Sequence, residues 1–389
     1  MSLFDNSSSK GINVLMMGGR RCGKTSALAS MFDQFIKGRV NNFFTISDQT
    51  KLETGKVSPL TNIPEDQDSL GSKKLELMDK LEHPTTDTFL VDAGPTYNEW
   101  RYVLNINLPG HPRKSTTINF IDCPGEYFQK GSNLTLAQNL IGQSDVFVVV
   151  VDTPYMMEGS KAVHSAVNCV DSVQNLVSSI DNEGGAKAKM VIFVPIKCEK
   201  WVKEGRINEV TAKIKQDYSV PINTLKAYQR MNICILPIET AGNILFSELK
   251  DPYTITINGE TMKCSKMSDR FVRLSDGSPH DISDTDIVNT DAGSAIPGCE
   301  SVRRPHSWFH INLNADPNNL YQPHNCEQLP LHILSFMTKK MSVEGHGTLY
   351  SFIFGGISRN EMDQKMREIA QSNLIKNGTE GIEYIKRDI

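Results

Sequence analysis

The stretch from Val14 to Ser26 (VLMMGGRRCGKTS) limits this chain more than any other. An apolar run turns through glycines into a lysine and a hydroxyl, and Gly18, Gly23, Lys24 and Thr25 satisfy G-x-x-x-x-G-K-[ST] at every specified position. Glycines let successive backbone N–H groups curl round a phosphate, while Lys24 can reach phosphate oxygens and Thr25 can ligate magnesium. Gly19, Arg20, Arg21, Cys22 and Ser26 complete the loop and its exit. The helix that follows aims the positive end of its dipole at the anion. The flanks agree: Ile12 to Met17 reads as a buried strand, and Leu28, Met31, Phe32, Phe35 and Ile36 recur at helical spacing until Gly38.

Downstream the pattern alternates. Trp100 to Asn107 and Thr116 to Ile121 read as a strand pair joined at Leu108-Pro-Gly-His-Pro. The second strand ends at Asp122, with Gly125 three residues on and Glu126 next. A magnesium-bound phosphate needs a further acid, and an aspartate leaving a neighbouring strand supplies one. Gly125 lets a backbone N–H approach a γ-phosphate. Leu134, Ala137, Leu140 and Ile141 give a short helix, and Val146 to Val151 an apolar strand. Val163 to Ile180 reads as one helix, Met190 to Ile196 and Ile233 to Ile238 as further strands. Strands apolar throughout, alternating with helices, predict an α/β fold: a doubly wound, mainly parallel sheet with helices on both faces. Ligands then belong at the strands' carboxyl ends. Lys197 and Glu199 lie at one such corner, Thr240, Ala241 and Gly242 at another, and these are where a base would be read.

The 389 residues suffice for two average domains or one enlarged α/β domain. The expected organisation is a polar N-terminus over 1–10 and a nucleotide-binding core over 11–245 carrying a long loop at 41–95. An inserted β-rich region follows over 246–324, in which Tyr253 to Ile257, Phe271 to Leu274 and Trp308 to Leu313 read as strands. Helices over 325–389 then close the core, one from Cys326 to Met341 and one from about Ser358 to Leu374. A formal charge of -4 offers no global attraction for nucleic acid or an acidic membrane face. The eight cysteines show no C-x-x-C pair, which suits reduced thiols. Met1 to Lys10 lacks the form of a secretion signal, and no apolar run approaches the roughly 20 residues of a membrane span. The expectation is a cytoplasmic protein. Cys22 is either a tolerated variable position of the loop or a thiol whose oxidation would block nucleotide.

Taken together, Gly18 to Thr25, Asp122-x-x-Gly125, Lys197-x-Glu199 and Thr240-Ala241-Gly242 resemble, in order and spacing, the P-loop GTPases of the Ras and translation-factor class. More narrowly, Pro195 to Trp201 (PIKCEKW) with His324 to Pro330 (HNCEQLP) is similar to the bacterial double-GTPase families, proposed components of conflict systems. The resemblance implies magnesium-dependent GTP hydrolysis and a nucleotide-dependent switch, with GTP and GDP as ligands and a second GTPase as a partner. It makes Gly18 to Ser26 the phosphate loop, with Lys24 acting on the transferred phosphate and Thr25 and Asp122 on the magnesium side. Gly125 becomes the γ-phosphate sensor. Thr96 is the candidate switch threonine closing on magnesium, with Thr86 and Thr88 as rivals.

Three features depart from the family. The base motif has Ile196 where Asn or Thr is usual and Glu199 in place of Asp, although a carboxylate of either length accepts two hydrogen bonds from guanine. Glu126 stands where Ras-like proteins place a water-orienting glutamine, so slow intrinsic hydrolysis is expected. Arg20 and Arg21 occupy variable loop positions, either facing solvent or, like Arg101, candidates for touching phosphate. Two other classes compete with a hydrolysing switch: a GTP-dependent interaction module with little turnover, and an ATP-binding P-loop ATPase.

Overall fold

The computed structural model describes residues 11–19, 21–37, 45–48, 89–90, 100–108, 111–122, 134–178, 180, 187–250, 253–257, 260–264, 271–273, 279–281, 287–290, 294–296, 299–316, 320–344 and 359–389. The first strand, β1 (Gly11–Met17), runs into helix α1 (Lys24–Lys37). Short strands β2 (Thr45–Asp48) and β3 (Phe89–Leu90) precede the long pair β4 (Trp100–Leu108) and β5 (His111–Asp122). Helix α2 (Leu134–Gln143) leads to β6 (Val146–Asp152) and then to α3 (Thr153–Met157), α4 (Lys161–Val167) and α5 (Val170–Ser178). Strand β7 (Lys189–Ile196) is followed by α6 (Glu199–Lys203), α7 (Ile207–Asp217), α8 (Ser219–Ala227) and β8 (Met231–Ile235).

These build a sheet ordered β8-β7-β6-β1-β5-β4-β2. The run from β8 to β5 is parallel throughout, and β4 and β2 continue it antiparallel. Apolar composition explains the centre: all seven residues of β6 (VFVVVVD) are buried, as a strand covered on both faces requires. Period-two alternation then splits each strand between two cores. Val146, Val148 and Val150 join Ala27, Leu28 and Met31 of α1. Phe147, Val149 and Val151 join Val173, Val177 and, beyond, Val210 and Ile214. The doubly wound reading is correct.

The β-rich stretch follows as β9 (Ile244–Lys250), β10 (Tyr253–Ile257), β11 (Glu260–Cys264), β12 (Phe271–Arg273), β13 (Pro279–Asp281), β14 (Ile287–Thr290), β15 (Ser294–Ile296), β16 (Cys299–Arg304) and β17 (His306–Ile311). β17 lies between β3 and β9 in a separate small sheet. Phe246 from that sheet stacks on Trp201, and Phe309 packs edge-on against Phe246, which roots the small sheet in the main fold. Helices α9 (Gln328–Glu344) and α10 (Arg359–Gln371) cover the α1 face, and β18 (Glu383–Arg387) pairs antiparallel with β8 to give the sheet an eighth strand.

The single helix expected over Val163 to Ile180 is two helices. The chain breaks at Asn168 and Cys169, where Cys169 takes φ +50°. Ser160 caps the first piece by accepting from the Val163 amide at 3.3 Å. No helix among the described residues is long and apolar enough to cross a membrane.

Candidate functional site

Five parallel strands end on one edge, and every described candidate residue lies there. Register puts Asp122, at the end of β5, opposite Met16 of β1, and Asp152 of β6 opposite Ile196 of β7. The glycine loop that leaves β1 therefore emerges between two buried aspartates. The sheet sends β5 to one side of β1 and β6 to the other, so this is a topological switch point.

The loop is tight. A Cβ on Gly19 would stand 1.9 Å from the Val167 carbonyl oxygen at the end of α4, so only glycine fits. Gly23 takes φ +102°, a conformation other residues avoid, and a Cβ there would meet Ile196 at 2.6 Å. The break in α4–α5 thus has a purpose: it lets a helix end press on the loop. Lys24 is buried and folds back, donating to the carbonyls of Gly18 at 3.3 Å and Gly19 at 3.2 Å. Ser26 lies in the first turn of α1.

Beneath the loop, Thr25 Oγ1 donates to Asp122 Oδ2 at 2.5 Å. Asp122 is fully buried, and its Oδ1 has no hydrogen-bond partner among the described residues. Burial pushes its carboxyl up, against the pull of Lys24 and Thr25. An orphaned, buried carboxylate oxygen beside a threonine hydroxyl fits magnesium, which takes one or two protein oxygens and completes its shell with phosphate and water. No group of three or more His, Cys, Asp or Glu able to hold a metal occurs among the described residues.

On the other flank Lys197, at φ +58°, reaches from the end of β7 to Asp152, Nζ to Oδ2 2.5 Å. Its stem passes 3.9 Å from where a Gly23 Cβ would lie. Asn168 holds Asp152 from both sides: Oδ1 accepts from its amide at 2.7 Å and Nδ2 donates to its carbonyl at 3.2 Å. His164 Nδ1 receives the same amide group at 2.9 Å, and its Nε2 faces Asp217 at 3.2 Å. Burial keeps that imidazole below its ordinary range.

Glu199 opens α6 and is buried. Its Oε1 accepts from the amides of Ala241 at 2.8 Å and Gly242 at 3.4 Å, so the two predicted base-reading corners touch. Burial pushes its carboxyl up to about 7, although those amides favour the ionised form. The Thr240 carbonyl accepts from Ser30 Oγ of α1 at 2.8 Å, and Ser30 accepts from Tyr321 at 3.1 Å. Antiparallel bridges Glu239–His324 and Gly242–Tyr321 pin the same loop.

Cys22 is fully buried, and burial raises its thiol pKa, which disfavours the reactive thiolate and leaves the reading of a tolerated loop position. Arg21 is exposed at φ +57°, and its carbonyl accepts from Arg304 Nη2 at 3.2 Å. Arg101 lies on β4 opposite Ile121, in register. Arg20, Thr86, Thr88, Thr96, Gly125, Glu126 and nearly all of the 41–95 loop lie outside the described residues. Sequence reasoning missed Asp152, Asn168 and Arg304. An acid closing a run of valines was a usable signal for Asp152; Arg304 gave none.

No protein-family model matches the chain, and no curated protein matches it. Among solved structures it is similar to the GTPase-like domain of S. cerevisiae Ski7, bound to GDP and inorganic phosphate, at 15% identity and a TM-score of 0.31. The match covers 59% of this chain and 43% of that one, less than half its length.

Proposed function

We propose that this chain binds a guanine nucleotide with magnesium and hydrolyses GTP to GDP as a nucleotide-dependent switch. The observation that carries the reading is the meeting of Thr25 and Asp122 at 2.5 Å, directly under a glycine loop whose lysine is buried. Lys24 exchanges the Gly18 and Gly19 carbonyls for β- and γ-phosphate oxygens, and the loop amides take the rest. Thr25 and Asp122 would hold magnesium, which would supply charge neutralisation at the phosphate oxygens. Asp152 keeps Lys197 upright beside Gly23, where its stem can pack on the nucleoside.

Base choice falls to Glu199. Guanine's oxygen can take over the Ala241 and Gly242 amides while its ring N–H and amino group donate to the Glu199 carboxylate. Adenine lacks that paired donor edge. Nucleotide entry therefore requires Glu199 to release amides it now holds, a competition that an aspartate, one methylene shorter, would lessen.

The test is displacement of fluorescent GDP by unlabelled GTP, GDP and ATP, followed by magnesium-dependent turnover with and without Lys24→Ala. Competition by guanine nucleotides alone, with turnover lost in the variant, is the expected result. Equal competition by ATP would replace this reading with an ATP-binding one. Guanine selectivity without turnover would leave a GTP-dependent interaction module.

A further inference from the structure

Arg304, the last residue of β16, reaches from the β-rich insertion to the phosphate loop. Its Nη2 donates to the Arg21 carbonyl at 3.2 Å and its Nε to Tyr155 Oη at 3.2 Å. The guanidinium carbon lies 5.0 Å from the centre of the Tyr155 ring, and Tyr155 Oη donates in turn to the Pro305 carbonyl at 2.6 Å. Tyr155 is buried on α3, so the guanidinium is held in a fixed direction by ring, hydroxyl and carbonyl.

Its target is an unusual peptide. Arg21 takes φ +57°, a left-handed conformation that a side-chain-bearing residue seldom holds unless its surroundings impose it. Because a trans peptide is planar, a carbonyl aimed outward at Arg304 points the next amide, that of Cys22, the opposite way. That amide now makes a long bond to the Gly19 carbonyl at 3.4 Å, within the loop. It is one of the N–H groups that a phosphate oxygen would claim.

We infer that Arg304 is a positioning residue through which the β-rich insertion fixes the Arg21–Cys22 peptide in its phosphate-receiving orientation and thereby slows release of bound nucleoside diphosphate. The inference rests on the guanine-nucleotide reading above. It gives the insertion a role in the nucleotide cycle: any partner that pulls β16 away would loosen the loop and speed exchange.

The experiment is stopped-flow release of fluorescent GDP from wild type, Arg304→Ala, Arg304→Lys and Tyr155→Phe. Arg304→Ala removes the charged hydrogen bond to the loop, so release should quicken about tenfold, with Arg304→Lys recovering part of the effect. Association rates should stay at wild-type values and the nucleotide-free variant should still unfold cooperatively within about 5 °C of wild type, neither of which a general packing defect would allow. Release from Arg304→Ala at the wild-type rate, while wild type binds GDP, overturns the clamp and leaves the nucleotide reading standing. Wild type that binds no guanine nucleotide overturns both. Should Arg304→Ala fail to fold, Tyr155→Phe keeps the ring and removes only the orienting hydroxyl: release about threefold faster supports the clamp, and unchanged release overturns it.

Discussion

The two ends of the proposed site, the glycine loop taken as the phosphate end and the Glu199 corner taken as the base end, are built by opposite strategies. At the phosphate end, Lys24 bonds to carbonyls five and six residues back, and Thr25 meets Asp122 at the end of the neighbouring strand. At the base end, Glu199 bonds to amides more than 40 residues on, and the loop bearing them is strapped by Ser30 and by the 321–324 segment, from two further parts of the chain. One end takes its glycines, lysine and threonine from a single short stretch, to which Asp122 and Arg304 are added from afar. The other exists only once the whole domain has closed.

The sharpest way to break this contrast is to damage the local end. Gly19→Ala, whose Cβ would overlap the Val167 carbonyl, should abolish nucleotide binding as measured by fluorescent GDP titration. Lys24→Ala should lower single-turnover GTP hydrolysis by roughly 100-fold or more, in line with removal of a transition-state charge. Lys24→Ala should not alter the relative preference between guanine and adenine nucleotides. If it does, the two ends are one unit.

At the base end the effects are expected to be smaller and to concern selectivity. Glu199→Ala should cut the GDP-over-ADP preference by roughly tenfold in competition binding, since two hydrogen bonds to a charged acceptor are lost. Glu199→Asp should instead bind GDP several-fold more tightly, because the shorter side chain competes less for the Ala241 amide.

Glu199 also predicts a pH signature. Burial raises its folded pKa from 4.5 to about 7, so the native state holds a proton that the unfolded chain has released. Stability of the nucleotide-free protein, taken as wild type minus Glu199→Gln, should therefore fall as pH rises from about 4.5 to about 7. GDP affinity should move the other way, rising through about pH 7 as the carboxylate that guanine needs becomes ionised. The smallest effect belongs to the strap: Ser30→Ala should cost about 1 kcal/mol, seen as a melting point lowered by about 2 °C.

Legibility in the sequence follows the same division. The strands β1, β6 and β7 and the glycine loop were readable because each carries its signal within a dozen residues. The break at Asn168 was not, since apolar residues keep helical spacing straight through it and only the distant Gly19 and Asp152 explain the interruption. Strand β18 (EYIKR) hides among charges because its residues are half-exposed at a sheet edge. The Arg304 contact spans 283 positions and has no local correlate. Glu199 was legible by position, but not its grip on the Ala241 amide, which depends on how α6 and the 239–242 loop are set against each other.

Helix α1 begins at Lys24 under the glycine loop and, six residues later, offers Ser30 to the Thr240 carbonyl. A helix rises 1.5 Å per residue, so these two anchors are separated by about 9 Å along a rod that neither stretches nor compresses. The helix is a ruler: it fixes how far apart the two ends of a bound molecule must lie. Inserting one residue between Lys24 and Ser30 would lengthen that ruler only slightly, yet would turn Ser30 by about 100° away from its carbonyl and leave the two halves out of step.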